Sequence, residues 1–231
     1  MLPLRDDNPK FSRPVVNYTI IALNVLIFLY ELSLGPYTRS FFLRYGLIPF
    51  EYTHLVDIGI PSAIPWNLLT SMFLHGSFAH IAGNMLYLWI FGDNVEDRMG
   101  HGKYLLFYIL AGLAAALTQI LMNPSSKVPM IGASGAISGV LGAYAVLFPR
   151  ARVYTLVPNP FLFGLFYSIV ALPAFLLLGF WFLFQLLFGF ASLPAGGGGG
   201  VAWFAHIGGF VFGVIAVKFF ARKPRWEWVE W

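Results

Sequence analysis

No cysteine occurs anywhere in the 231 residues, which excludes disulfides, thiolate chemistry and cysteine-ligated zinc together while leaving the compartment open. Charge is the second shortage. Only 10% of residues are Asp, Glu, Lys or Arg, against about a quarter in soluble domains. Acid is scarcer still, since not one Asp or Glu stands between Arg98 and Trp226. Lys and Arg outnumber Asp and Glu by 14 to 10 but build no basic stripe interleaved with aromatics, so no nucleic-acid partner is expected. What abounds is apolar: 58% of the chain is hydrophobic. The partner this composition implies is a lipid bilayer, and the fold class an all-α polytopic membrane protein.

A helix needs about 20 apolar residues to cross a bilayer core about 30 Å thick. Six segments approach that length, at about 15–34, 78–95, 103–122, 133–148, 162–189 and 202–221. Breakers separate them, including Asn123-Pro124-Ser125-Ser126-Lys127, Pro149-Arg150-Ala151-Arg152 and Pro158-Asn159-Pro160. Residues 35–77 form one long connection that carries Pro36, Pro49, Pro61 and Pro65 among many aromatics, a pattern that predicts short interfacial helices. The tract PAGGGGG at 194–200 reads as a flexible loop before the last span. No small-x-small cleavage site follows the first apolar run, which therefore reads as a retained span. Eleven of the fourteen Lys and Arg fall on one side of six spans, so both termini are expected in the cytoplasm. The chain divides into a cytoplasmic segment 1–14, a six-helix membrane domain 15–221 and a cytoplasmic tail 222–231. The tryptophans Trp66, Trp226, Trp228 and Trp231 suit interfacial anchoring.

The stretch GASGAISG, Gly132 to Gly139, places serine on a bed of small residues. Ser134 lies 16 residues before Arg150, and His206 lies 16 before Arg222, each about 24 Å along a helix. Asn84 and His80 lie 14 and 18 residues before Arg98, about 21 and 27 Å. Three helices thus bring serine, histidine and a His/Asn pair to one depth. A serine alone in such a helix is a packing residue that bonds back to a carbonyl. Histidine within a span is costly and needs a partner or water. Unrelated packing residues need not share a plane, and the shared depth is what favours a site.

Gly135 and Gly139 lie one turn apart, as do Gly209 and Gly213, so both helices carry a small face that permits close approach. Close approach would bring Ser134 within hydrogen-bond reach of His206, as activation of a nucleophile requires. Without a carboxylate on either helix, a Ser-His dyad is expected and a three-member triad is not. Donors for a developing oxyanion would be the backbone N–H of Ser134, the amide of Asn84 and the ring N–H of His80.

These residues resemble the rhomboid intramembrane serine proteases. Gly132-Ala133-Ser134-Gly135 is similar to the family's GxSG motif, His80-Ile81-Ala82-Gly83-Asn84 to its HxxxN signature, and Ala205-His206 through Gly213 to its AHxxGxxxG helix. Glu96-Asp97-Arg98 looks like its ExR segment, and the similarity covers about residues 60–221. The resemblance implies a six-transmembrane-helix bundle that cuts transmembrane protein substrates near the outer face of a cell membrane. It implies Ser134 as nucleophile and His206 as general base, with His80, Asn84, Gly132 and the Ser134 backbone on the oxyanion side and no cofactor or metal. There are two departures. Asn67 follows Trp66 where the family has arginine, and Ser138 stands where some members stack an aromatic on the histidine. His75 ranks below His80, as a structural residue at the mouth of the site. The fifth span, the long first loop and the glycine tract are expected to control access.

Three other classes compete. A metal-dependent protein using His75, His80 and His206 would lack HExxH, cysteine and any nearby carboxylate. A proton-coupled transporter would place carboxylates within the membrane, where Glu31 lies in a span but near its end. A catalytically inactive relative that binds membrane clients would not need both Ser134 and His206.

Overall fold

A computed structural model describes residues 1–56, 65–158, 167–193 and 201–222. Six of its helices have 14 or more residues: α1 (Val15–Ser33), α5 (Phe78–Met99), α6 (His101–Met122), α7 (Ser134–Leu147), α8 (Ala174–Ser192) and α9 (Trp203–Phe220). Four of them, α1, α6, α8 and α9, are long and apolar enough to cross a membrane. Between α1 and α5 the chain folds into short helices, α2 (Thr38–Tyr45), α3 (Pro49–His54) and α4 (Asn67–Thr70), as the prolines and aromatics there predict. The glycine tract 194–200, Pro61, the Asn159-Pro160 breaker and the tryptophans after residue 222 lie outside the described residues.

The bundle is not purely helical, which corrects the all-α expectation. Three strands, β1 (Leu2–Asp6), β2 (Arg152–Pro158) and β3 (Tyr167–Pro173), form an antiparallel sheet in the order β1-β2-β3. Arg152 pairs with Pro173 and Pro158 with Tyr167, while Leu2 pairs with Leu156 across a register shift between Pro3 and Arg5. The fifth apolar segment consequently starts its helix at Ala174, not near residue 162. A run of that length exceeds what one span needs, and Tyr167, Ile169 and Val170 are residues that suit a strand. Pro173 then disfavours helix in the residue before it and stands as the N-cap of α8.

The core lies where α5, α6, α7 and α9 meet, around Leu88, Phe91, Tyr104, Phe107, Tyr108, Leu141 and Tyr144, all buried. Helix α7 is the central element and packs closely against α9. A Cβ on Gly209 would collide with the carbonyl of Gly135, and one on Gly213 with that of Gly139. Glycine at these positions lets the two backbones touch, which sets the separation of Ser134 and His206.

Charged and polar groups cluster where α1 begins and α5 ends. Pro14 offers α1 no side-chain cap, and Glu96 supplies it from α5: its carboxylate accepts from the N–H groups of Val16 (3.0 Å) and Asn17 (2.7 Å). A negative group at a helix N-terminus is stabilising. The Asn17 amide donates to Leu88 O at 2.9 Å, and the Tyr104 hydroxyl donates to Asn17 Oδ1 at 2.8 Å. Lys10 pairs with Asp93 at 2.9 Å.

Strand β1 ends on Asp6, whose carboxylate accepts a hydrogen bond from Tyr144 of α7. Burial pushes the Asp6 carboxyl up to about 6 from 3.8, with Asp93 and Asp7 adding to the rise and the Tyr144 hydrogen bond opposing it. An acid with a raised folded-state pKa keeps its proton longer in the folded chain, so stability is greatest below the unfolded value and falls as pH climbs. The melting temperature in detergent is therefore expected to decline between about pH 4 and pH 6 through this group. Asp6→Asn should remove that part of the decline; pH profiles that superimpose would exclude the contribution.

Candidate functional site

Helix α7 is 14 residues long, about 21 Å, so its first turn begins beneath a bilayer surface if its other end lies at the opposite one. Gly132 turns the chain into that helix. Its φ of 124° is strained for any residue with a side chain, and a Cβ there would stand 2.7 Å from His80 Nε2. Its N–H donates to Ser71 O at 2.8 Å, and two hydrogen bonds between Leu47 and Met130 (3.0 and 2.7 Å) hold the first loop against the same turn. Ser134 follows as the first residue of α7, where backbone N–H groups lack intrahelical acceptors.

Two serines on α7 behave differently. Ser138 Oγ donates to the Ser134 carbonyl at 2.6 Å, the back-bonding of an ordinary packing serine. Ser134 Oγ lies 2.8 Å from His206 Nε2 instead. On α9, an early N–H is capped from α6, where Gln119 Oε1 accepts from Ala205 N at 3.2 Å. That bond fixes the turn that carries His206.

The ring of His206 is held from its other side as well. Its Nδ1 lies 2.8 Å from Gln185 Oε1 on α8. Trp181 of α8 and Trp203 of α9 flank the ring, with centroids 6.0 and 6.3 Å away. Sequence reasoning missed Gln185, although the signal was present: apart from the terminal Ser192 it is the one polar side chain in the 19 residues of α8. An amide in such a helix needs a partner. Sequence reasoning also looked for the flanking aromatic one turn after Ser134, and α8 supplies one.

On α5, Ser77 caps the helix by accepting from His80 N at 3.2 Å, and His80 and Asn84 share one face. The Asn84 amide donates to His75 Nε2 at 2.9 Å, while His75 Nδ1 faces the Phe73 carbonyl at 3.3 Å. His75 is buried, and its backbone N–H is held by Glu31 of α1 at 3.2 Å. It orients Asn84, leaving the second amide hydrogen of Asn84 to point elsewhere. Asn67 is buried in the first loop and accepts from the Tyr52 hydroxyl, tying α4 to α3. Among the described residues, no three of His, Cys, Asp and Glu group as ligands for a metal ion.

Ser134, His206, His80, Asn84 and Gly132 line one cavity of about 510 Å³ within the bundle. It is bounded by α5, α6, α7, α8 and α9 and by the first loop, and among the described residues no Asp, Glu, Lys or Arg lines it. Such a pair of Ser and His can transfer a proton from hydroxyl to imidazole and make the oxygen a nucleophile.

Residues 63–223 match the family model described as Rhomboid domain. The chain belongs to the rhomboid family. With its apolar helices, this rhomboid is a multi-pass membrane protein. It is 36% identical over 133 residues to the Rhomboid protease GluP of Bacillus subtilis, covering 57% of this chain and 24% of that protein. It is 30% identical over 141 residues to Rhomboid protein 1, mitochondrial, of Saccharomyces cerevisiae, covering 59% and 37%. RHOMBOID-like protein 1 of Arabidopsis thaliana is 31% identical over 161 residues, covering 70% and 36%. The chain thus spans between about a quarter and two fifths of the length of these relatives.

Proposed function

We propose that this rhomboid is an intramembrane serine endopeptidase that hydrolyses peptide bonds in or beside transmembrane segments of membrane proteins. The reading rests on one observation above all, the 2.8 Å contact of Ser134 Oγ with His206 Nε2 inside the bundle cavity. All six long helices cross the cell membrane in this reading, with segment 1–14 and tail 222–231 in the cytoplasm. The uneven distribution of Lys and Arg supports that orientation.

His206 Nε2 takes the hydroxyl proton as Ser134 Oγ attacks the scissile carbonyl carbon. The oxyanion that forms is met by the Ser134 N–H, the free amide hydrogen of Asn84 and the His80 ring, beside the turn at Gly132. The imidazolium then gives its proton to the leaving amine and the acyl-enzyme forms. Water, deprotonated by the same imidazole, attacks the ester and restores Ser134. A folded helix hides its carbonyls from any nucleophile, so small residues that let a substrate helix unwind mark the preferred bond. No cofactor enters.

The test is reaction of the purified, detergent-solubilised protein with a fluorescent fluorophosphonate. Wild type and Ser138→Ala are expected to be labelled, while Ser134→Ala and His206→Ala are not. A wild type that stays folded yet takes no label would move the client-binding reading ahead.

A further inference from the structure

The hydrogen bonds around His206 run in one direction, and Gln185 sets it. The carbonyl of Trp181 is only an acceptor, and Gln185 Nε2 lies 3.4 Å from it, one turn earlier on α8. The amide NH2 must therefore face Trp181, which leaves Oε1, also only an acceptor, facing His206 Nδ1 at 2.8 Å. An acceptor there requires the proton to sit on Nδ1. Nε2 is then bare, and it is the nitrogen 2.8 Å from Ser134 Oγ. The opposite tautomer would set a lone pair against Oε1 and an N–H against the hydroxyl it must deprotonate.

We infer that Gln185 is a positioning residue that holds His206 in the Nδ1–H tautomer, so that Nε2 is always free to accept the Ser134 proton. The inference rests on the serine protease reading for its consequence in catalysis. A carboxylate commonly has this task in serine hydrolases, but none exists between Arg98 and Trp226. Among the described residues, the titratable groups lining the cavity with His206 are His80 and Tyr87 of α5, and α6, α7 and α8 add none with a formal charge. A neutral amide can orient the ring without bringing a charge into the membrane. Gln185 is itself buried, and it is the member of the network contributed by α8.

The experiment replaces Gln185 by Met, close in length but without the amide acceptor, and by Glu, which restores an acceptor. Two quantities are read: the rate of fluorophosphonate reaction with kcat and KM on a transmembrane substrate, and the tautomer of His206 from 15N shifts in histidine-labelled protein. Of the five histidines, the signal of His206 is assigned by its absence in His206→Ala. Gln185→Met is expected to lower kcat and labelling roughly 10- to 100-fold, part of what a general base contributes, with KM unchanged. Its ring should become a mixture of tautomers, and Gln185→Glu should recover the Nδ1–H form and most of the rate. A Met variant with the wild-type rate and a pure Nδ1–H ring would overturn the inference while leaving the protease reading intact. Should wild type fail to react, the protease reading falls, and the tautomer in wild type and Gln185→Met still decides whether Gln185 sets the ring.

Discussion

Ser134→Ala, His206→Ala and the double variant are expected to lose kcat on a transmembrane substrate by one common factor, roughly 10⁴- to 10⁶-fold. In the proposed mechanism the hydroxyl and the imidazole contribute one event, transfer of a proton from Oγ to Nε2 across 2.8 Å. Removing either partner removes that event, and removing the second takes nothing further. The remaining rate reflects the oxyanion donors and substrate binding alone. Ser134→Ala should not unfold the chain, because Ser134 Oγ bonds to His206 and makes no back-bond to its own helix as Ser138 does. Turnover of a reconstituted substrate by the three variants checks this. Losses that multiply would mean that the two side chains act independently, and the dyad would be abandoned.

Helix periodicity and membrane length made most of the bundle legible, because a span must satisfy its own backbone and therefore declares itself in about 20 consecutive residues. The same logic explains where legibility ended. Strand β1 pairs with a hairpin some 150 residues away, at Leu2 with Leu156, and no local pattern encodes such a partner. Residues 167–173 are as apolar as a span, so hydropathy merged them with α8, and only Pro173 marks the division.

The site divided in a similar way. Ser134, His206, His80 and Asn84 stand out in the sequence by their shared depth and motif spacing, and the structure brings all four to one cavity. Gln185 and His75 were harder to place because each acts through another side chain. Gln185 reads as one amide in an apolar helix until its register against α9 is known, and His75 reads as a structural residue at the mouth of the site, with no partner named, until Asn84 is seen to donate to it. Polar residues that serve a site at one remove carry no spacing rule of their own.

Asn84→Ala is expected to lower kcat by about 10² to 10³ with little change in KM, the loss that follows removal of one oxyanion donor. Asn84 has two amide hydrogens. One is committed to His75 Nε2 at 2.9 Å, which leaves the other for the cavity that Asn84 and Ser134 both line. The amide is thus oriented before substrate arrives and needs no rearrangement as charge develops, which is why its removal acts on the transition state more than on binding. His75→Ala should produce a smaller loss of the same kind, since it frees the Asn84 amide without deleting it. Fluorophosphonate labelling of Asn84→Ala should persist at reduced rate, because Ser134 and His206 are intact. Steady-state kinetics on one reconstituted substrate separate the cases: a KM that rises with kcat unchanged would make Asn84 a substrate-binding group, and its place at the oxyanion would be lost.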